Sequence, residues 1–367
     1  MRPWVFSCLL FTLSSPAWAA AKIGYGSSTA VVSPSYQENV LRGFELGVAR
    51  LLGPETGDSP FLVKQVNDKS IQGATVAANS LIDSGVVALV GFPVSHDALL
   101  AADVARKAGV LAIFGSPSHT AMAEKGPLVY STGASISTLQ DDLLQFLIEK
   151  FPGKKGLAVV NPSSVFSINQ ETLLKAKMEK LPGLKIEIAR LADGLVMPEA
   201  VFSRMKKGEF DYVYLSLYPD DLVALFNQMQ AGKVDLPMVA FGGPDPEILR
   251  RFVAVKKAPY FIGTTWVPSD PQMKELDKEV FKKYGKNATF ETVIGYNLGM
   301  VVGQVIKSVE GPLTKSSVIT AFRKKSCYAV LGNRQLCFGP NGGHATSNGL
   351  RFARFSQVGM EAPKATP

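Results

Sequence analysis

Hydroxyl side chains follow two apolar runs of the sequence, and such groups can hydrogen-bond a small polar solute. Ser95 comes shortly after the run Val87–Val90, and Ser118 and Thr120 come shortly after the run Val110–Phe114. A helix that begins near Ser95 would add backbone N–H groups and the positive end of its dipole, which favour a carboxylate. Each hydroxyl alone could be an ordinary helix cap or turn residue. Their coincidence at two strand ends predicts a ligand-binding edge.

The two runs belong to a regular alternation of strands and helices. Short continuous apolar runs are typical of strands that are buried on both faces of a parallel sheet. The segments between them have helical apolar spacing, as from Leu99 to Ala108, where Gly109 ends the helix. The alternation runs from Lys22 to Phe114 and returns between Leu139 and Trp266. We therefore expect an α/β protein with two similar doubly wound parallel-sheet lobes, which bind ligands at the carboxyl ends of their strands.

The N-terminal segment has the three parts of a secretory signal peptide. Arg2 precedes the apolar stretch VFSCLLFTL, and Ala17-Trp18-Ala19 has the small-x-small pattern of a cleavage site. We expect a signal peptide over residues 1–19 with cleavage after Ala19, and Ala20 or Ala21 as alternative sites. No other apolar run approaches the roughly 20 residues that a membrane span requires. The sequence thus predicts an exported chain that does not span the membrane.

Removal of the signal peptide leaves two cysteines, Cys327 and Cys337. An even pair in an exported protein predicts a disulfide, and the intervening Gly332-Asn333 could form the turn of a hairpin that joins them. Metal binding is not expected, because the three histidines of the chain have no ligand spacing with these cysteines.

Charge and motifs argue against several functional classes. The net charge of +8 comes from 39 Lys and Arg residues against 31 Asp and Glu residues. The basic residues are scattered and not interleaved with aromatic ones, so nucleic-acid binding is not expected. The sequence contains no nucleophile elbow, P-loop, zinc-protease or dinucleotide motif, which argues against an enzyme and against a cofactor. The run Ser95-His96-Asp97 is no catalytic triad, because adjacent residues rarely converge on one reacting atom.

Several segments, taken in order, resemble those of one family. The chain resembles the type I periplasmic solute-binding proteins, in particular the branched-chain amino-acid-binding (Leu/Ile/Val-binding) proteins of ABC importers. The segments are YQENVLRGFELGVARL, LVGFPVS, FGSPSHT, YLSLYPDDLVALFNQM and VAFGGPDPE. The resemblance implies two lobes joined by a three-segment hinge that closes on a ligand. It assigns residues 20–132 and 264–340 to lobe 1 and residues 133–263 and 341–367 to lobe 2, with crossings near 131–135, 260–265 and 338–344.

Matched position by position, the resemblance also implies a set of ligand contacts. The hydroxyls would bind a carboxylate, the aromatic rings would wall the ligand side chain, and Asp245 would pair with an ammonium group. The family usually has Tyr where Phe166 stands and Glu where Asp245 stands. The implied contacts are Tyr36, Ser95, Ser118, Thr120, Phe166, Tyr218 and Asp245.

The function that the resemblance implies is capture of a small solute in the periplasm. The ligand would be an amino acid or a small organic acid or amide, delivered by a monomeric protein to an inner-membrane ABC permease. An alternative is a receptor domain that senses the same ligand and signals to a membrane kinase or chemoreceptor. An envelope scaffold with a vestigial cleft is a third possibility.

Overall fold

The computed structural model describes residues 22–53, 62–67, 70–193, 195–242, 246–255, 257–264, 270–346, 349–356 and 359–361. The expected signal peptide and Asp245 lie outside these ranges. None of the helices in the described ranges is long and apolar enough to cross a bilayer.

Helices and strands alternate along most of the chain. The strands are β1 (Lys22–Ser28), β2 (Leu62–Asn67), β3 (Val86–Gly91), β4 (Leu111–Phe114), β5 (Val129–Ser131), β6 (Lys155–Val160), β7 (Lys185–Arg190), β8 (Tyr212–Ser216), β9 (Met238–Ala240), β10 (Tyr260–Thr264), β11 (Cys327–Val330), β12 (Arg334–Cys337), β13 (Gly343–His344), β14 (Arg351–Ser356) and β15 (Gly359–Met360). The helices are α1 (Pro34–Leu52), α2 (Gly73–Asp83), α3 (Ser95–Ala108), α4 (Ile136–Lys150), α5 (Val165–Met178), α6 (Glu199–Lys206), α7 (Pro219–Ala231), α8 (Pro246–Ala254), α9 (Pro271–Tyr284), α10 (Phe290–Lys307) and α11 (Lys315–Lys324).

The strands form two mainly parallel sheets with the same internal order. The first sheet has the order β13-β5-β4-β3-β1-β2, and the second has the order β15-β14-β10-β9-β8-β6-β7. The runs β2-β1-β3-β4-β5 and β7-β6-β8-β9-β10 therefore correspond, and each is a doubly wound arrangement. In the second sheet, β14 pairs antiparallel with β10 and with β15. The other described strand pairs of the two sheets are parallel. The prediction of two similar α/β lobes is confirmed. We call each sheet with the helices packed on it a lobe.

As judged from the described strands and helices, the chain passes between the lobes three times. The first falls between β5 and α4. Residues 260–264, expected to begin the second crossing, form β10 and still pair within the second sheet. Gly343–His344, expected at the third crossing, pairs with β5 in the first sheet. The short β13 forms by pairing with the edge of the first sheet. A segment of two residues is too short to show a periodic pattern in the sequence. The full lobe boundaries stay a prediction.

Glycines on α10 allow it to lie directly against α1. The four-residue spacing of Gly295, Gly299 and Gly303 indicates close packing of this helix, for which we expect a sheet as the partner. The partner is instead a helix: a Cβ atom on Gly295 would overlap the carbonyl oxygen of Val40, and Gly43 of α1 is equally tight against α10. A side chain at either position would separate the two backbones. The sequence pattern thus identified the close approach but not the surface approached.

The cysteine hairpin is present as predicted. β11 and β12 pair antiparallel with Cys327 opposite Cys337, and the two cysteines form a disulfide. The turn between the strands places Asn333 in a left-handed conformation, with φ of 55°, which Asn tolerates better than most residues. On its inner side Leu336 packs into the core of the first lobe.

Candidate ligand-binding cleft

A cleft of about 1180 Å³, including its mouth, lies between the carboxyl ends of the two sheets. Each lobe contributes residues that directly follow its strands, as expected for doubly wound sheets. The first crossing, residues 132–134, lines its hinge end. Five of the seven contacts implied by the sequence line this cleft: Tyr36, Ser95, Ser118, Phe166 and Tyr218.

The first lobe supplies the hydroxyl groups. Ser95 is the first residue of α3, so it stands among backbone N–H groups that have no partner within the helix. Its hydroxyl accepts a hydrogen bond from the backbone N–H of His119 at 3.3 Å, which ties the two strand-end loops together. Ser95 and Ser118 are only 2% and 6% exposed. Both hydroxyls therefore face a largely dehydrated space, where hydrogen bonds to a ligand are stronger than in water.

The second lobe supplies an aromatic wall. The rings of Phe166 and Tyr218 stack with their centroids 5.1 Å apart. Phe166 lies in the first turn of α5, which begins at Val165 and is capped by the Ser164 side chain. Burial raises the pKa of Tyr218 above its usual range, an effect that nearby Ser95 partly offsets. The phenol is thus neutral, and its buried oxygen has no hydrogen-bond partner in the described residues.

Contacts across the cleft hold the lobes close together. The ring of Tyr218 packs against an apolar cluster of the first lobe that includes Tyr36 and Ile294. The side-chain amide of Asn169 accepts from the backbone N–H of Thr120 and donates to its hydroxyl, both at 3.1 Å. Thr120 itself is not among the described residues that line the cleft. It stands at a point where the two lobes meet, and its expected contact with the ligand stays a prediction.

Asp245 lies outside the described residues, so its expected pairing with an ammonium group stays a prediction. The residues just before it, Phe241 and Gly242, follow β9 and line the cleft. His119 is likewise not among the described lining residues. Its Nδ1 accepts the backbone N–H of Ala121 at 3.1 Å, which makes it a cap for the short 3-10 helix Thr120–Glu124.

Several lining residues were not identified from the sequence. Phe290 and Asn297 come from α10, and Arg334 comes from the cysteine hairpin. Neither element directly follows a strand of the two sheets. The rule that ligand-binding residues follow the carboxyl ends of strands, called here the strand-end rule, therefore does not identify these residues. Phe241, in contrast, directly follows β9 and could have been found by that rule.

A buried carboxyl group lies behind the hydroxyl side of the cleft. Asp97 of α3 is completely buried, and this burial raises its pKa to about 7, although the nearby Ser28 hydroxyl opposes the shift. Neither carboxyl oxygen has a partner with hydrogen-bond geometry in the described residues. The negative charge of Asp97 also helps to raise the pKa of Tyr218, so this carboxyl interacts electrostatically with the aromatic wall. Within the described residues, no cluster of His, Cys, Asp and Glu could hold a metal ion.

Two doubly wound lobes, three crossings and a cleft between the carboxyl ends of their strands define a type I periplasmic binding protein fold. The sequence profile of the periplasmic binding protein family matches residues 67–359, and the chain belongs to this family. Among curated proteins, none is similar enough in sequence to match the chain.

Solved structures share the fold over nearly the whole chain. The leucine-binding protein of Thermotoga maritima is 16% identical, with a TM-score of 0.77 over 93% of this chain and 97% of that chain. A branched-chain amino acid transporter substrate-binding protein of Streptococcus pneumoniae, solved with isoleucine, is 18% identical, with a TM-score of 0.77 over 94% and 98%. A solute-binding protein of Rhodopseudomonas palustris, solved with 3,4-dihydroxybenzoic acid, is 16% identical, with a TM-score of 0.73 over 92% and 93%. At such identities these similarities establish the fold alone.

Proposed function

We propose that the protein captures a small organic solute in the periplasm and delivers it to an inner-membrane ABC permease. The observation that carries this proposal is the cleft between the two lobes, which is lined by hydroxyls on one side and by aromatic rings on the other. Such a combination fixes a polar group by hydrogen bonds and encloses an apolar body. Relatives by fold were solved with isoleucine and with 3,4-dihydroxybenzoic acid, so the candidate ligands are amino acids and small organic acids or amides.

Ligand binding would stabilise the closed arrangement of the lobes. Ser95 and Ser118 would bind the solute from the first lobe, while Phe166 and Tyr218 would enclose it from the second. A solute that contacts both lobes binds the closed form better than the open form, and this differential affinity shifts the equilibrium between them. The closed form would then be the surface that the permease recognises. The N-terminal signal pattern supports the periplasmic location, and we expect the protein to act as a monomer.

A thermal-shift screen of amino acids, organic acids and amides, followed by calorimetry, tests solute capture. At least one solute should raise the melting temperature and bind with a defined stoichiometry. Phe166→Ala should weaken that binding by about tenfold, the usual effect of truncating an aromatic contact in a binding site. Phe281→Ala is the matched control, because Phe281 is 59% exposed on α9. A protein that no solute stabilises would disprove the proposal.

Delivery is tested separately with the cognate permease in proteoliposomes. The loaded protein should stimulate ATP hydrolysis and uptake of the bound solute. Tight solute binding without such stimulation would contradict the transport function and leave ligand sensing for a membrane kinase or chemoreceptor.

A further inference from the structure

The cleft extends along one face of α10 toward the cysteine hairpin. Phe290, Val293, Ile294 and Asn297 all line it, and their spacing places them on the same side of the helix. The seven-residue separation between Phe290 and Asn297 corresponds to about 10 Å along the helix axis. This length is enough for a ring or a short alkyl chain. At the far end the Asn297 side-chain oxygen accepts the backbone N–H of Leu331 at 3.1 Å. This bond joins α10 to the hairpin.

Arg334 lines the cleft at this end of α10. Its Nε donates to the carbonyl oxygen of Leu331 at 3.1 Å, which fixes the direction of the side chain. Its Nη2 is buried and has no hydrogen-bond partner in the described residues. Burial accordingly lowers the pKa of Arg334, and the charge of Asp270 opposes that shift. Asp270 is not within ion-pair distance of Arg334, and its Oδ1 caps α9 through the N–H of Gln272 at 2.8 Å.

A buried guanidinium N–H without an acceptor is energetically unfavourable, because dehydration is not compensated by a new bond. A carboxylate in the cleft would supply the acceptor that this N–H lacks among the described residues. Arg334 is also the only charged side chain among the described residues that line the cleft. Asp270 acts on Arg334 from outside the described lining of the cleft, whereas Asp97 and Glu291 lie on α3 and at the start of α10. At the Arg334 end, the wall of the cleft therefore carries a positive side chain and no negative one among the described lining residues.

We propose that Arg334 binds the carboxylate of an organic acid whose uncharged polar end meets Ser95 and Ser118. This inference rests on the proposed solute capture and specifies its substrate class. A guanidinium matches a planar carboxylate with two parallel hydrogen bonds, and it disfavours an ammonium group at the same place. The apolar or aromatic body of the acid would lie along α10 and against the stacked rings of Phe166 and Tyr218. Amino acids that place an ammonium group near Arg334 would bind weakly.

The binding test compares acids with their neutral amides by calorimetry, starting with 4-hydroxybenzoate and 4-hydroxybenzamide and extending to a panel of such pairs. The wild-type protein should bind at least one acid tenfold or more tightly than its amide. Arg334→Met should weaken acid binding by about tenfold or more, since a hydrogen-bonded charge contributes that much, and should change amide binding little. Arg334→Lys should retain part of the acid preference. Lys324→Met is the matched control for lost charge, because Lys324 is exposed and its ammonium contacts the exposed Glu310.

A second measurement needs no ligand. If Arg334 is held for an acid, Arg334→Met should change the melting temperature of the empty protein little, because the lost bond to Leu331 is offset by removal of the unpaired buried donor. A fall of several degrees would assign Arg334 a structural role and overturn the proposal. Acids that bind no better than their amides, or acid binding that survives Arg334→Met, would also overturn it while leaving solute capture intact. A protein that no solute stabilises would instead refute the proposed function, and this inference with it.

Discussion

Replacement of Asp97 by Asn should make the protein more stable above neutral pH. Asp97 is completely buried in α3, and burial raises the pKa of its carboxyl to about 7 in the folded protein, compared with about 3.9 in an unfolded chain. Between these two values the folded state holds a proton that the unfolded state has lost. The folded state therefore loses stability as the pH rises from about 4 to about 7, and the loss is complete above pH 7.

The size of this effect follows from the two pKa values. A difference of about three pKa units corresponds to about 4 kcal/mol of unfolding free energy. Asn cannot ionise, so the advantage of Asp97→Asn over the wild type should grow by about 1.4 kcal/mol for each pH unit between pH 5 and pH 7 and then level off. The amide has its own cost of burial, but that cost does not vary with pH. The slope of the difference, rather than its absolute value, therefore reports the carboxyl group.

Urea denaturation followed by circular dichroism at half-unit intervals from pH 5 to pH 8.5 measures this slope. Asp83→Asn is the control, because Asp83 is exposed at the end of α2 and its replacement should shift stability by only a few tenths of a kcal/mol. A constant difference between Asp97→Asn and the wild type across the range would refute the reasoning, since it would mean that Asp97 titrates alike in both states.

Three further changes probe the fold and the cleft. Asn169→Ala removes both hydrogen bonds to Thr120 and should weaken ligand binding by roughly 5- to 100-fold in calorimetry; unchanged affinity would show that these bonds do not favour the closed form. Cys327→Ser opens the disulfide across a sequence separation of 10 and should lower unfolding free energy by about 3 kcal/mol; an unchanged denaturation midpoint would contradict this. Gly295→Ala forces a Cβ against the Val40 carbonyl and should destabilise the protein by about 2 kcal/mol or more; an unfolding free energy equal to that of the wild type would contradict the close packing of α10 on α1.

Much of the fold could be predicted from the sequence because its signals are local. Continuous apolar runs such as Val87–Val90 mark buried parallel strands, and Gly109 adopts the left-handed conformation that ends α3. The repeated alternation then leaves few topologies open. β13 could not be predicted, because a two-residue strand exists only through its pairing with β5. The glycines of α10 show the same limit: their spacing indicates a close contact but carries no information about the partner helix.

The candidate site could be predicted where it follows the strand-end rule. Ser95, Ser118 and Tyr218 all come just after a strand, and all line the cleft. Thr120 satisfies the same rule, yet it begins a 3-10 helix, contacts Asn169 of the other lobe and is not among the described lining residues. Adjacency to a strand end thus predicts the edge of the sheet, while the turn geometry decides which side chains enter the cleft.

The position of Arg334 in the cleft wall could not be predicted, because it depends on contacts between distant parts of the chain. The disulfide closes the hairpin, Asn297 of α10 holds its turn at Leu331, and Leu331 in turn orients the guanidinium. Each contact spans elements that local periodicity treats separately. A side chain fixed in this way loses little conformational freedom when a ligand binds, so more of its interaction energy is available for affinity. If the proposal for Arg334 is right, the strand ends would hold the uncharged part of the solute, and the hairpin would provide the selectivity for acids.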